Sequence, residues 1–233
     1  MIRPMHDGDS EWAAGLMAER RAEYAVYSPV FWRPQAGIEP AHARFLGSQI
    51  GDPAVIAVRR DDGFAIAART GDQYYVDDFA VLDGRWQDVG AELLSEIWRQ
   101  AAAFGAHELR VVTARLDQPK VAMLNAIGFR LSQQWWVKPL RHTSREPAAD
   151  GVLVGDGYRV IRTVAPPVYD PGGPVGMVQH FADAVSLHDA ERVATDDGLV
   201  LLIAPLDATD PKNEAADECG FTVASQFYVG VPR

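Results

Sequence analysis

The sequence predicts an α/β protein with a mixed, α+β type of sheet, and three observations carry that prediction. Strand-like and helix-like segments follow one another in the order β-α-α-β-β-β-α-β-α-β, complete by about Leu140. Within them, Tyr74–Leu94 (YYVDDFAVLDGRWQDVGAELL) reads as a strand, a tight polar loop and the first turns of an amphipathic helix. A strand feeding a helix N-terminus in this way points free backbone N–H groups and the helix dipole at an anion. Thirdly, the C-terminal part repeats segments of the first part in the same order.

Taken in order, Met1–Met5 is a short opening strand. From Ser10, the residues Trp12, Leu16, Met17 and Tyr24 recur near helical spacing. Pro29 and Pro34 in SPVFWRP stop that helix. A second, short helix over Ala41–Ile50 presents Phe45 and Leu46. PAVIAVRR and GFAIAART flank Asp61-Asp62-Gly63 as a hairpin. After the strand Tyr74–Val81, the residues Val89, Leu93, Leu94, Ile97, Trp98 and Ala101 share one helical face, and Gly105 ends the helix. LRVVTARL is a buried strand, and Asp117 caps a helix carrying Val121, Leu124 and Ile127. FRLSQQWWVKPL closes the unit as a strand, and the polar His142–Asp156 reads as a linker. The expected organisation is a domain over 1–141, a linker over 142–156 and a partial repeat over 157–233.

Bulk properties narrow the function. The 48% apolar and 23% charged content belongs to a core-forming chain rather than a disordered one. Its net charge of −10, with 22 basic against 32 acidic residues, argues against a nucleic-acid or anionic-membrane partner. No apolar run is long enough to span a bilayer, the start of the chain lacks a signal-peptide core, and the one cysteine, Cys219, fits a reducing compartment. These features predict a cytoplasmic protein. The six histidines show no ligand spacing, so no metal is expected.

In the repeat, VDDFA at 76–80 is echoed by VQHFA at 178–182, LRVVTA by LVLLIA, and IGF…QQWWV by CGF…SQFYV. Phe79 to Leu109 spans 30 positions, whereas Phe181 to Leu199 spans 18. The shortfall is expected to remove the WQDVG loop and much of its helix. The second copy is also expected to lack the first two helices and the hairpin.

With that order and those residues, the first 140 or so residues resemble a GNAT-fold N-acyltransferase. VDDFAV matches the family's strand, RWQDVG its donor loop, AELL its helix start, and Gly128-Phe129 its closing segment. The resemblance therefore implies a GNAT acyl-CoA N-acyltransferase fold followed by a truncated GNAT-like repeat, similar to tandem GNAT proteins with one degenerate copy. It also implies acetyl-CoA or another acyl-CoA as co-substrate, without metal. The pyrophosphate would lie on the loop Arg85, Trp86, Gln87, Asp88, Val89, Gly90 and Ala91, and the pantetheine arm along Phe79, Ala80 and Val81. The acceptor is expected to be a small-molecule amine or a peptide N-terminus. A homodimer through an exposed final strand stays open.

The chain departs from the family at points that bear on chemistry. Asp88 stands where the first loop glycine belongs, and the loop is one residue short between Val81 and Arg85. A carboxylate there repels a pyrophosphate, and its Cβ crowds the backbone approach. Leu124 holds the position of the general-acid tyrosine, and Asp117 that of the usual asparagine. Asp77 and Asp78 are the candidate general bases for taking a proton from the amine. Counting back by twos from Val81 favours Asp77, with Tyr75 beside it. Against this stands the reading of both as solvated or Arg-paired edge carboxylates. Asp88 is equally a helix cap or part of a loop that still admits CoA. Tyr24, Tyr27, Phe31, Trp32, Trp135 and Trp136 either line an acceptor pocket or fill a core. Two functions follow: an N-acetyltransferase, or a catalytically inactive GNAT-fold module that binds a small molecule or a protein.

Overall fold

The computed structural model describes residues 1–141 and 151–231. Its elements begin with β1 (Arg3–Pro4), α1 (Ser10–Tyr27), α2 (Glu39–Ile50), β2 (Val55–Arg60), β3 (Gly63–Thr70) and β4 (Gln73–Val81). They continue with α3 (Ala91–Ala103), β5 (Glu108–Ala114), α4 (Gln118–Ala126) and β6 (Arg130–Pro139). The second half comprises β7 (Val152–Gly155), β8 (Tyr158–Thr163), β9 (Val175–Phe181), α5 (Ala184–Asp196), β10 (Leu201–Asp207), α6 (Lys212–Glu218) and β11 (Thr222–Gly230). The chain divides into two units, one of Met1–Glu23, Ala36–Leu131 and Phe227–Arg233, the other of Tyr24–Gln35 and Ser132–Gln226.

In the first unit the strands run in the order β1, β2, β3, β4, β5 and then the end of β11. Strands β1 to β4 are antiparallel, and β4 runs parallel to β5. The apolar stripe of α1 (Ala13, Ala14, Leu16, Met17) and Leu46 of α2 bury against Phe64, Ile66 and Ala80 on one face. Leu93, Leu94, Ile97 and Ala101 of α3, with Met123 and Leu124 of α4, cover Tyr74, Val76, Phe79 and Val111 on the other. Phe45, expected to pack beside Leu46, instead stays 51% exposed because the buried stripe of α2 runs through His42 and Leu46. Asp117 caps α4 as its sequence indicates, accepting from the Lys120 amide at 3.3 Å.

Two irregularities of β4 shape the candidate site. Its pairing with β5 runs from Gln73↔Glu108 only to Val76↔Val111, after which the strands part. Its pairing with β3 jumps from Ala67↔Val76 to Ala65↔Phe79, so that Asp77 and Asp78 together oppose Ile66. That is a β-bulge, with two residues facing one, and it breaks the two-residue period.

The second unit orders its strands β7, β8, β9, β10, β6 and the start of β11. β6 pairs antiparallel with β10 from Pro139↔Leu201 to Gln133↔Asp207. The sequence reading has β6 closing the first unit; the structure gives that place to the end of β11 and pairs β6 in the second. Both segments carry the same aromatic strand pattern, QQWWV and SQFYV, so pattern alone does not choose between them. The second unit also keeps more than expected. Helix α5 has 13 residues, as α3 does, so the shortfall spares the helix and falls chiefly on the loop before it. The hairpin is present as β7 and β8, and β9 repeats the bulge, with a register shift between Arg159 and Val160 of its partner. Of the stretch read as a linker, 142–150 lies outside the described residues, and its end contains β7.

Candidate functional site

The site stands where β4 leaves β5. The bulge overturns the count by twos: Phe79 shares its face with Val76 and Tyr74 under α3, so Asp77 is not in phase with Phe79. The two carboxylates nevertheless end in different surroundings. Asp77 is exposed by surface area, whereas the Asp78 side chain is 13% exposed and faces α2. Although Asp77 is reachable from solvent, its carboxyl is crowded by protein. Loss of hydration, then the charge of Asp78, raises its pKa to about 6 against the pull of Lys120, His42 and Arg21. An accessible carboxyl tuned into that range is suited to accept a proton near neutral pH.

Sequence reasoning missed the partner of Asp78. His42, 3% exposed, places Nε2 at 3.1 Å from Asp78 Oδ1. Its Nδ1 lies 3.2 and 3.1 Å from the two terminal nitrogens of Arg21, which is itself 2% exposed. A histidine near an arginine 21 residues away carries no spacing signal. The one available clue was a polar residue on the buried stripe of α2.

The wall below β4 is filled by the protein's own side chains. Trp86 is 1% exposed and meets Phe79 edge-on at 4.9 Å. The Arg20 guanidinium lies 4.7 Å from the Trp86 ring and pairs with Asp117, while Lys120 Nζ lies 5.2 Å from that ring. The buried Lys120 ammonium donates to the Val112 carbonyl at 2.9 Å, just beyond the last β4–β5 pair. Trp86 is thus a core residue. It also accounts for Gly90, since a Cβ there would come within 2.9 Å of the Trp86 ring.

Whether these residues fit a CoA donor divides along the site. The edge of β4 facing β5 has no β5 partner beyond Val76; an extended arm would have to pair with the Phe79–Val81 backbone there, and the side chains of Phe79 and Ala80 are buried. The loop fits a pyrophosphate poorly. Trp86–Gly90 forms a π-helical turn running into α3, and the Gly90 amide already donates to the Arg85 carbonyl at 3.1 Å. Asp88 does not cap α3, which starts after Gly90; its carboxylate takes Arg85 and the Val89 amide, and Arg85 holds it below the usual carboxylate range. Arg85 also pairs with Asp62, so its charge is already matched twice. Gln87 is exposed, Val89 buried and Ala91 half-buried. Leu124, at the expected tyrosine position, is fully buried.

The aromatic residues gather in the second unit. Tyr24, Phe31, Trp32 and Trp135 form a connected set with Tyr169, and Tyr27 joins through Tyr24 at 6.0 Å. Trp136 points elsewhere, donating to Asn213 at 2.7 Å. Burial pushes the Cys219 thiol up, which does not favour a nucleophile. Among the described residues, no group of three or more His, Cys, Asp or Glu could hold a metal, and no helix is long and apolar enough to cross a membrane.

No protein-family model and no curated protein matches the sequence. Solved structures do match over the whole chain. One, from Thermoplasma acidophilum and provisionally described as an acetyltransferase, has a TM-score of 0.63 at 10% identity, covering 100% of both chains. A GCN5-related N-acetyltransferase from Sphaerobacter thermophilus scores 0.55 at 12% identity, covering 99% of this chain and 95% of that one. A tandem GNAT protein from the clavulanic acid biosynthesis pathway scores 0.51 at 15% identity, covering 100% and 99%. The chain has the GNAT fold in a two-repeat layout.

Proposed function

We propose that the protein is an acyl-CoA-dependent N-acyltransferase that moves an acetyl group from acetyl-CoA to an amine, either a small molecule or a peptide N-terminus. The observation that carries this reading is the accessible carboxyl of Asp77, tuned upward, at the bulge where β4 parts from β5. Bound there, the donor would supply an activated thioester. The chain's own part is to orient the amine and to accept its proton at Asp77 as nitrogen attacks. Backbone of Phe79–Val81 would hold the donor arm. The reading treats 157–233 as a degenerate copy that carries no donor site, and the protein as cytoplasmic, with no nucleic-acid partner.

The test is release of CoA thiol in the presence of acetyl-CoA and a panel of amines. Activity should rise with pH through about 6, as Asp77 loses its proton. Asp77→Asn should cost roughly 10²–10⁴ in kcat. Unchanged kcat in that variant would remove Asp77 from the role. A second reading, a non-catalytic GNAT-fold binding module, is favoured by the loop: buried Trp86, an Arg85 already paired with Asp62 and Asp88, and Lys120 at the head of the gap. Failure of acetyl-CoA to bind would select it.

A further inference from the structure

We propose that Arg21 and His42 are positioning residues that hold the Asp78 carboxylate beside Asp77, the residue that accepts the proton. Its functional meaning rests on the transferase reading above; its geometry does not. A guanidinium has five N–H donors and no acceptor. Both terminal nitrogens of Arg21 lie within 3.2 Å of His42 Nδ1, so that nitrogen must offer its lone pair. The single ring proton therefore sits on Nε2 and is donated to Asp78 Oδ1 at 3.1 Å. A second ring proton would have to sit on Nδ1, against the guanidinium.

Charge balance points the same way. A buried guanidinium needs an anion. Among the described residues no carboxylate forms an ion pair with Arg21 directly, and Asp78 meets it across the imidazole. Phe45 stacks on His42 with ring centroids 6.2 Å apart. The groups that act on Asp77 are Asp78 on its own strand, Lys120 from α4, His42 from α2 and Arg21 from α1. Of these only Asp78 is negative, so after lost hydration its charge is what favours proton retention on Asp77.

The experiment is NMR on the full chain without ligands. Nitrogen-15 spectra at neutral pH should show the His42 proton on Nε2 and the lone pair on Nδ1. Carbon-13 carboxyl spectra should show Asp77 titrating at about 6. In His42→Phe, which removes both polar contacts of the ring, the Asp77 titration should shift. In His42→Gln, whose amide can accept from Arg21 and donate to Asp78, it should return to that of the unaltered protein. A proton on His42 Nδ1, or a His42→Phe profile identical to that of the unaltered protein, would overturn the proposal. If His42→Phe does not fold, the tautomer of the unaltered protein still decides. None of these readouts needs a donor. Failure of acetyl-CoA binding would leave the relay standing, and a wrong tautomer would leave the transferase reading standing.

Discussion

Asp77→Asn should make the protein more stable at neutral pH, and by an amount that depends on pH. In the folded protein the Asp77 carboxyl is raised from 3.8 to about 6, first by lost hydration and then by Asp78. For a fully enclosed group, a rise of that size corresponds to about 3 kcal/mol. Asp77 is open to solvent by surface area, so screening reduces this to about 1 kcal/mol. A raised carboxyl binds its proton more tightly folded than unfolded. Its stabilising contribution is full below the unfolded value of 3.8 and disappears as pH rises through about 6. Asparagine does not titrate. The stability of Asp77→Asn relative to the unaltered protein should therefore climb by about 1 kcal/mol between roughly pH 4 and 8. Urea denaturation at several pH values measures it through the midpoint at constant m. A difference that stays flat across this range, or falls as pH rises, would refute the crowding assigned to Asp77.

Other substitutions probe the scaffold and the loop. Gly230→Ala would bring a Cβ within 2.7 Å of the Phe129 ring and should cost about 1–3 kcal/mol in denaturation, whereas Gly47→Ala in α2, with nothing nearer than 3.8 Å, should be neutral or stabilising. Asp9, 3% exposed, is pushed up by burial, but Arg3, the His6 amide and Arg59 together hold it well below the usual carboxylate range. Asp9→Asn should cost about 3 kcal/mol near neutral pH. That penalty should shrink as pH falls below about 4, because the stabilisation by a depressed carboxyl is lost there. Asp88→Gly frees Arg85 from one of its carboxylates and should tighten acetyl-CoA binding roughly tenfold by calorimetry; weaker binding would mean that Asp88 shapes the loop the donor needs.

Much of the fold is legible in the sequence because its signals are local. The spacing of Leu93, Leu94, Ile97 and Ala101 marks α3, and Asp117 with Gly128 brackets α4. What the pattern leaves out is long-range. QQWWV and SQFYV are alike as strands, so their partners follow from pairing rather than from composition. The bulge at Asp77-Asp78 shifts the phase of β4 by one residue and leaves no mark in a run of alternating residues. For the site, adjacent carboxylates at a strand end are visible from residues alone. The relay through His42 is not, because Arg21, His42 and Asp78 meet only when α1 and α2 pack on β4. Trp86, expected from the resemblance in the donor loop, is a core residue, which only its burial reveals.

Calorimetric titration of the full chain with acetyl-CoA is the decisive measurement, since transfer through Asp77 requires a donor beside β4. Saturable binding with one site per chain is expected, and it should be retained in Asp77→Asn. No heat and no thermal stabilisation at about 1 mM acetyl-CoA, the upper end of ordinary KM values, would contradict transfer from that donor.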